Sequence, residues 1–421
     1  MPESPKTFKI APVDWNIRFP EYEVHKVSNG VSIYSIYSSV HELSYVELIF
    51  ENGRLVEEKK LSSRICSNQL MEGSKEYNQN EIVEFFDFYG CSYQVLSDLD
   101  FTIVTLTSLP KYFEKAFRFL IQTIVHPIFP EENIVKGKKA LLSQLSHQLL
   151  EPDFVSYREF SSQVYGEEST YGYNSTVELI EAVQRNDLIS YHEKNYSANV
   201  LKVFYCGSKL ADSFWEDELN LFNPIQSELP TYEFQNNQTI LKHIPIQNCA
   251  QTSLKMGMRL FKKSDPDYYD MYVINTIFGD YFGSRLMSQI REKHGLSYDI
   301  SSTLDAQLHD GIFYIGAELN PNQKDKTIQL IKTEIQKLKN YLVKDAELSM
   351  VKNYLNGHLL RLIDGPYQSI QLLKILITEF KSVDSFRSLV DHVRSLDNQK
   401  IILLAQKYLD EDKMTIITAG A

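Results

Sequence analysis

The sequence repeats itself at about half its length. Three pairs of segments recur in the same order, at 90–93 and 295–298, at 196–207 and 408–420, and at 132–145 and 346–359. The first pair reads Gly-Cys-Ser-Tyr and Gly-Leu-Ser-Tyr, each after a helical pattern. Repeats of about 210 residues are duplications of whole domains rather than solenoid units. The 421 residues are therefore predicted to form two homologous halves.

The boundary between the halves is marked by composition. A stretch that begins at residue 223 is enriched in Pro, Asn and Gln, which is typical of a connecting segment. We therefore predict an N-terminal half at 1–222, a linker at 223–240 and a C-terminal half at 241–421.

Each half mixes two hydrophobic periods. Alternating apolar and polar residues predict half-buried strands at 31–38, 44–50 and 101–108. Apolar residues three and four positions apart predict helices at 57–72, 111–126, 131–150 and 187–196. Runs of strands followed by runs of helices are typical of the α+β class. In each half we expect a largely antiparallel sheet with helices packed on one face.

Composition and charge argue against several classes of protein. The net charge is -12 and no basic block offsets it, which disfavours nucleic acid as a partner. No run of 18 apolar residues occurs, so no membrane span is expected. The first 15 residues lack a basic and then apolar signal, which predicts a cytoplasmic protein, or a periplasmic one if a leader was removed. Four scattered cysteines indicate neither a disulfide framework nor a cysteine zinc site.

The segment 277–298 carries the most chemical information. It reads IFGDYFGSRLMSQIREKHGLSY and predicts a strand, a loop and a helix, with small residues that allow close approach of backbones. Arg291 and Tyr298 lie toward its far end, where a guanidinium and a phenol can polarise a carbonyl or stabilise an oxyanion. The residues alone leave a second interpretation open, in which Arg291 pairs with a surface carboxylate and Tyr298 is a half-buried strand residue.

The segment 277–298 also resembles the signature of a known protein family. The run FGDYFGSRLMSQIREKHGLSY is similar to the second-half signature of the pitrilysin/insulinase superfamily of zinc peptidases, in the size class of the mitochondrial processing peptidase subunits. The resemblance implies the LuxS/MPP-like metallohydrolase fold. It also implies a zinc site in the first half, formed by an inverted H-x-x-E-H motif on a helix and a more distant carboxylate.

The positions that the resemblance assigns to zinc carry other residues in this chain. The motif window, which ends five residues before Gly73, reads Arg-Ile-Cys-Ser-Asn, and Gln144 stands at the distal ligand position. Arg64 is a permanent cation, and the amides of Asn68 and Gln144 are poor zinc ligands. Ser67 has no pKa suited to a general base. The chain is therefore expected to bind no metal and no other cofactor, with zinc held by a partner.

These observations predict a pseudo-peptidase, which is the non-catalytic subunit of a heterodimeric zinc metallopeptidase. As the resemblance implies, two subunits would enclose a peptide-binding chamber, and Arg291 and Tyr298 would act in trans on the substrate carbonyl at the partner's zinc. The expected partners are a catalytic zinc-peptidase subunit or a second copy of this chain, together with a peptide substrate. Two alternatives remain, namely a scaffold subunit without a role in proteolysis and an active enzyme with unusual ligands.

Overall fold

The computed structural model describes residues 14–38, 42–225, 230–235 and 239–421. Thirteen of the 15 residues on which the prediction of localisation rests lie outside this range, as do residues 226–229 and 236–238 of the predicted linker.

Strands of the described residues form two separate sheets. The first sheet contains β1 (Glu23–Lys26), β2 (Ser32–Tyr37), β3 (Ser44–Phe50), β4 (Ser92–Ser97), β5 (Thr102–Ser108) and β6 (Leu201–Gly207). The second contains β7 (Leu241–Pro245), β8 (Thr252–Leu260), β9 (Ser297–Ala306), β10 (Gly311–Leu319) and β11 (Thr415–Gly420). The spatial orders are β1-β2-β6-β3-β5-β4 and β7-β11-β8-β10-β9.

The two sheets are built alike. Without β1, the orders correspond strand for strand, and the parallel pair of β2 with β6 has its counterpart in β7 with β11. All other neighbours are antiparallel. Gly90 and Gly295 have φ angles of 61° and 60°, a left-handed conformation that favours glycine, and each leads into an edge strand. The duplication read from the sequence and the α+β architecture of two homologous halves are confirmed.

Helices occupy most of the remaining chain. In the first half they are α1 (Ser62–Gln69), α2 (Gln79–Tyr89), α3 (Pro110–Val125), α4 (Glu131–Gln148), α5 (Pro152–Tyr165), α6 (Val177–Ala182), α7 (Arg185–Asn195) and α8 (Asp212–Leu219). In the second half they are α9 (Tyr268–Phe278), α10 (Lys324–Asn340), α11 (Asp345–Leu362), α12 (Pro366–Thr378), α13 (Asp384–Ser395) and α14 (Asn398–Tyr408). A π-helix spans Met287–Lys293, and 3₁₀ turns span Arg54–Val56, Ala198–Val200 and Pro321–Gln323. None of the helices in the described part of the chain is long and apolar enough to cross a membrane.

Each half exchanges one helix with the other. Helix α12 of the second half packs on β2 and β6 of the first sheet, where Leu373 joins Ile36 and Phe204 in one buried cluster. Helix α5 of the first half packs on β8 and β11 of the second sheet, where Phe160 joins Ile417. The remaining core of each half lies on the other face of its sheet. Both faces of each sheet are therefore covered, one of them by the other half.

An ion pair accompanies each exchanged helix. Lys374 Nζ of α12 lies 2.9 Å from Glu47 Oε2 of β3. Lys255 Nζ of β8 lies 2.6 Å from Asp153 Oδ1 of α5. Strands β3 and β8 are equivalent in the two sheets, so the helix supplies the cation in one half and the anion in the other.

The helix predicted from residue 57 begins later in the structure. Helix α1 starts at Ser62, after Leu61, which has a φ angle of 70°. The carboxylate of Glu57 turns back and accepts hydrogen bonds from the backbone N–H groups of Leu61, at 3.2 Å, and Ser63, at 2.9 Å. A carboxylate in this place satisfies N–H groups that have no partner within the helix, so Glu57 caps α1 rather than belonging to it.

The prediction of a strand at the start of 277–298 is wrong. Ile277 and Phe278 end helix α9, and the segment continues through a loop and the π-helix into β9. Helix α9 is buried along most of its length, with Val273, Ile274 and Ile277 all in the core. A short helix that is apolar on nearly all sides shows no helical period, and its β-branched residues resemble a buried strand.

Candidate functional site

Arg291 and Tyr298 lie next to each other on the surface of the second half. The guanidinium carbon of Arg291 is 5.3 Å from the ring centroid of Tyr298 and 5.3 Å from that of Phe282. The side chain of Tyr298 is 80% exposed, and that of Phe282 is 65% exposed. Arg291, which is half-buried, is thus held between two rings by cation–π contacts, and the phenol of Tyr298 faces solvent.

The end of the π-helix positions this pair. Gly295 N–H donates to Arg291 O at 3.0 Å, and Leu296 N–H donates to Ile290 O at 3.0 Å. Ile290 and Leu296 are both buried, so this turn is anchored in the core. Tyr298 then follows as the second residue of β9, the edge strand of its sheet.

The equivalent place in the first half has a different character. At the same offset as Gly90 and Gly295, Phe86 corresponds to Arg291 and Tyr93 to Tyr298. The rings of Phe86 and Tyr93 pack against each other with centroids 4.6 Å apart, and Phe86 is fully buried. The duplicated turn therefore stabilises the core in one half and presents a cation and a phenol in the other.

Arg285 differs from Arg291 in its partners. Arg285 Nε and Nη2 donate to the two carboxylate oxygens of Glu347, at 2.7 and 3.1 Å. This bidentate pair uses the guanidinium fork within the protein. The alternative considered for Arg291, a pairing with a surface carboxylate, therefore describes Arg285. Arg291 has no ion pair within the described residues, and its guanidinium contacts the two rings.

The four positions that the resemblance assigns to a zinc site do not all face the same way. Ser67 is buried on the core side of α1, where its Oγ is 3.0 Å from Thr102 Oγ1 and donates to Ser63 O at 2.8 Å. Asn68, one residue further on, is exposed. Arg64 and Gln144 come together, since both line one cavity of about 220 Å³ between α1 and α4.

Two further arginines line this cavity. Arg158 Nη1 donates to Ser175 O at 2.6 Å, and Arg64 Nη1 donates to Ser175 Oγ at 3.4 Å. Arg54 Nη1 donates to Tyr173 O at 2.9 Å. Sequence reasoning missed Arg54 and Arg158, because nothing in their spacing relates them to Arg64. Gln148, which follows Gln144 by one helical turn and also lines the cavity, was likewise missed, although its spacing places it on the same face of α4 as Gln144.

The cavity does not suit zinc. The polar side chains that line it are guanidiniums, amides and hydroxyls, whereas zinc takes imidazole, thiolate or carboxylate ligands. Burial lowers the pKa of Arg64, and the neighbouring charge of Arg54 lowers it further. In the part of the chain that the structure describes, no group of three or more His, Cys, Asp or Glu side chains is placed to hold a metal ion.

Comparison with known proteins assigns the family. The model for insulinase, peptidase family M16, matches residues 32–171, and the model for the peptidase M16 inactive domain matches residues 182–355. The chain belongs to the M16 peptidase family. An uncharacterized zinc protease of Rickettsia felis is 25% identical over 329 residues, which cover 75% of this chain and 78% of that protein.

Other M16 relatives differ in what their names say about activity. The non-peptidase homolog YmxG of Helicobacter pylori is 23% identical over 330 residues, which cover 74% of this chain and 75% of that protein. A crystal structure of a peptidase M16 inactive domain from Pseudomonas fluorescens superposes with a TM-score of 0.86 at 21% identity, covering 95% of this chain and 98% of that one. The M16 fold is thus shared over nearly the whole chain, and its relatives include both a named protease and a named non-peptidase.

Proposed function

We propose that this chain is the non-catalytic subunit of an M16 zinc peptidase and that it contributes Arg291 and Tyr298 to a peptide bound at a partner's zinc. The observation that carries the proposal is the contrast between the two places described above. The Arg291–Tyr298 pair is assembled at the surface, with Arg291 half-buried and Tyr298 exposed, whereas the positions of the zinc ligands hold groups poorly suited to zinc.

The pair is separate from the chain's own lost site. The described residues that line the Arg64 cavity all lie between 54 and 180, so Arg291 and Tyr298 are not among them. Hydrogen-bond donors at the surface of a chain without its own zinc are suited to act on a substrate that another chain holds. A guanidinium and a phenol together supply several N–H and O–H donors for a carbonyl oxygen that becomes an oxyanion.

The test is peptide cleavage by the reconstituted complex with a partner chain that keeps an intact H-x-x-E-H motif. Removal of one oxyanion donor typically costs ~2.7–4 kcal/mol, a hundred- to a thousand-fold in turnover. Tyr298→Phe keeps the ring that packs on Arg291 and removes the hydroxyl alone. Arg291→Ala removes the guanidinium. Each substitution should lower turnover by that order while assembly, followed by size-exclusion chromatography, stays intact.

The duplication offers a matched control. Tyr93 is the equivalent of Tyr298 but packs against Phe86. Tyr93→Phe should therefore leave turnover unchanged. Unchanged turnover in both Tyr298→Phe and Arg291→Ala would reject the shared site and favour a scaffold role, and a pure complex of two copies of this chain would point to a self-dimer.

A further inference from the structure

The arginine-lined cavity lacks a counter-charge. Fourteen residues line it, and three of them are Arg54, Arg64 and Arg158, whereas none is an Asp or a Glu. None of the three guanidiniums forms an ion pair within the described residues. Two acids outside the cavity act on these cations, and both are already engaged. Glu57, which acts on Arg54, accepts hydrogen bonds from Tyr173, Ser63 and the N-terminus of α1. Glu159, which acts on Arg158, has its Oε1 2.7 Å from Lys242 Nζ.

Most of the N–H donors in the cavity are also unused. A guanidinium has five N–H donors. Among the residues that the structure describes, Arg64 and Arg158 each donate one side-chain hydrogen bond, both to Ser175. Each side chain is half-buried, and burial lowers the pKa of both groups. Partly desolvated cations with free donors are stabilised strongly by an anion that can accept several hydrogen bonds.

The remaining walls indicate which kind of anion fits. Leu61, Ile65, Leu145 and Ile180 are buried apolar residues that line the same space. Gln144, at the rim on α4, is exposed, so the cavity opens to solvent. A volume of about 220 Å³ holds one amino-acid side chain with a carboxylate rather than a larger ligand. A free phosphate would use the arginines and leave the apolar walls unfilled.

We propose that the former zinc pocket is a carboxylate-binding pocket, in which Arg64 and Arg158 bind the carboxylate of a peptide and the apolar walls hold the side chain beside it. The carboxylate belongs either to the free C-terminus of the peptide or to an Asp or Glu side chain. This assignment goes beyond the action of Arg291 and Tyr298 and does not depend on it, because it concerns binding by this chain alone.

The test uses the purified chain and three peptides labelled with fluorescein at the N-terminus, with binding followed by fluorescence anisotropy. The first is Gly-Gly-Gly-Gly-Leu with a free C-terminus, the second is its C-terminal amide, and the third is the amide with Glu in place of Leu. The first peptide should bind about ten- to a hundred-fold more tightly than the second, the range of a hydrogen bond to a charged group. If only the third peptide exceeds the second, the source of the carboxylate is a side chain.

Variants connect the binding to the cavity. Arg64→Gln and Arg158→Gln should each weaken binding about tenfold or more, whereas Arg387→Gln on the exposed surface should not change it. Gln144→Glu, at an exposed position, places a carboxylate at the rim and should weaken binding without loss of fold. Equal affinity for all three peptides, no binding of any of them, or an equal loss in Arg387→Gln would overturn the proposal. Turnover of the mixed complex tests the Arg291–Tyr298 proposal separately.

Discussion

Replacement of Lys374 by methionine should weaken the attachment of helix α12 to the first sheet. Lys374 Nζ is 2.9 Å from Glu47 Oε2, and the two side chains are 16% and 6% exposed. At this separation and an effective dielectric constant of about 20, the attraction is about 6 kcal/mol, much of which offsets the cost of removing both charges from water. Lys374→Met deletes the attraction but leaves the Glu47 carboxylate buried. We expect the free energy of unfolding of the first half to fall by about 3–5 kcal/mol.

The two tryptophans allow each half to be followed separately. Trp215 lies in the core of the first half, and Trp15 packs against the core of the second. Urea unfolding is therefore recorded by tryptophan fluorescence in Trp15→Phe and Trp215→Phe backgrounds, because a chain with two halves need not unfold in one step. Lys374→Met should move the transition reported by Trp215 to lower urea concentration.

Two comparisons isolate the cause. Lys194 Nζ lies 2.6 Å from Glu58 Oε1 in an exposed pair, so Lys194→Met should cost at most about 1 kcal/mol. Glu47→Gln combined with Lys374→Met removes the unpaired charge and should recover much of the loss. The reasoning is refuted if Lys374→Met shifts the transition no more than Lys194→Met, or if the double variant is as unstable as the single one.

Two further predictions concern metal and pH. The purified chain should hold no stoichiometric zinc in elemental analysis after dialysis. A variant with zinc ligands at the family's positions, Arg64→His, Asn68→His and Gln144→Glu, should bind some zinc in the same measurement. One tightly bound zinc in the unmodified chain would contradict this. Relative to a His192→Gln variant, the free energy of unfolding should fall by about 3 kcal/mol more as the pH drops from 6.5 to about 4, because burial lowers the pKa of His192 to about 4 and only the unfolded state protonates this group in that window. His192→Gln should flatten this dependence in urea titrations at several pH values, and His147→Gln, at an exposed position, should leave it in place.

The duplication was predictable because it rests on local signals. The turns at 90 and 295 require a left-handed conformation, which favours glycine, and the strands next to them are half-buried, which gives alternating apolar and polar residues. Both features are visible in the sequence. The exchange of α5 and α12 is not indicated by any local pattern in the sequence. Neither helix is among those predicted from the sequence, and the sheet that each one covers is decided by contacts between residues far apart along the chain.

The candidate site was predictable only in part. The resemblance located Arg291, Tyr298 and the positions of the lost ligands, and the loss of ligand chemistry followed from the residue types alone. That the cavity has become cationic could not be predicted, since Arg54 and Arg158 are about a hundred residues apart and meet only through the fold. The burial of Ser67 beside the exposed Asn68 likewise depends on how α1 is rotated against β5.

The exchange of helices has a consequence for the order of synthesis. Strand β6 completes the first sheet at Gly207, but the helix that covers its second face starts at Pro366, roughly 160 residues later. At a translation rate of about 5–20 residues per second, Leu373 is synthesised about ten to thirty seconds after both Ile36 and Phe204, the residues on which it packs, have been made. Helix α5, by contrast, is made before any strand of the sheet on which it packs. An arrangement that is symmetric in space is therefore asymmetric in time, and the nascent first half carries an open apolar face until the second half is nearly complete.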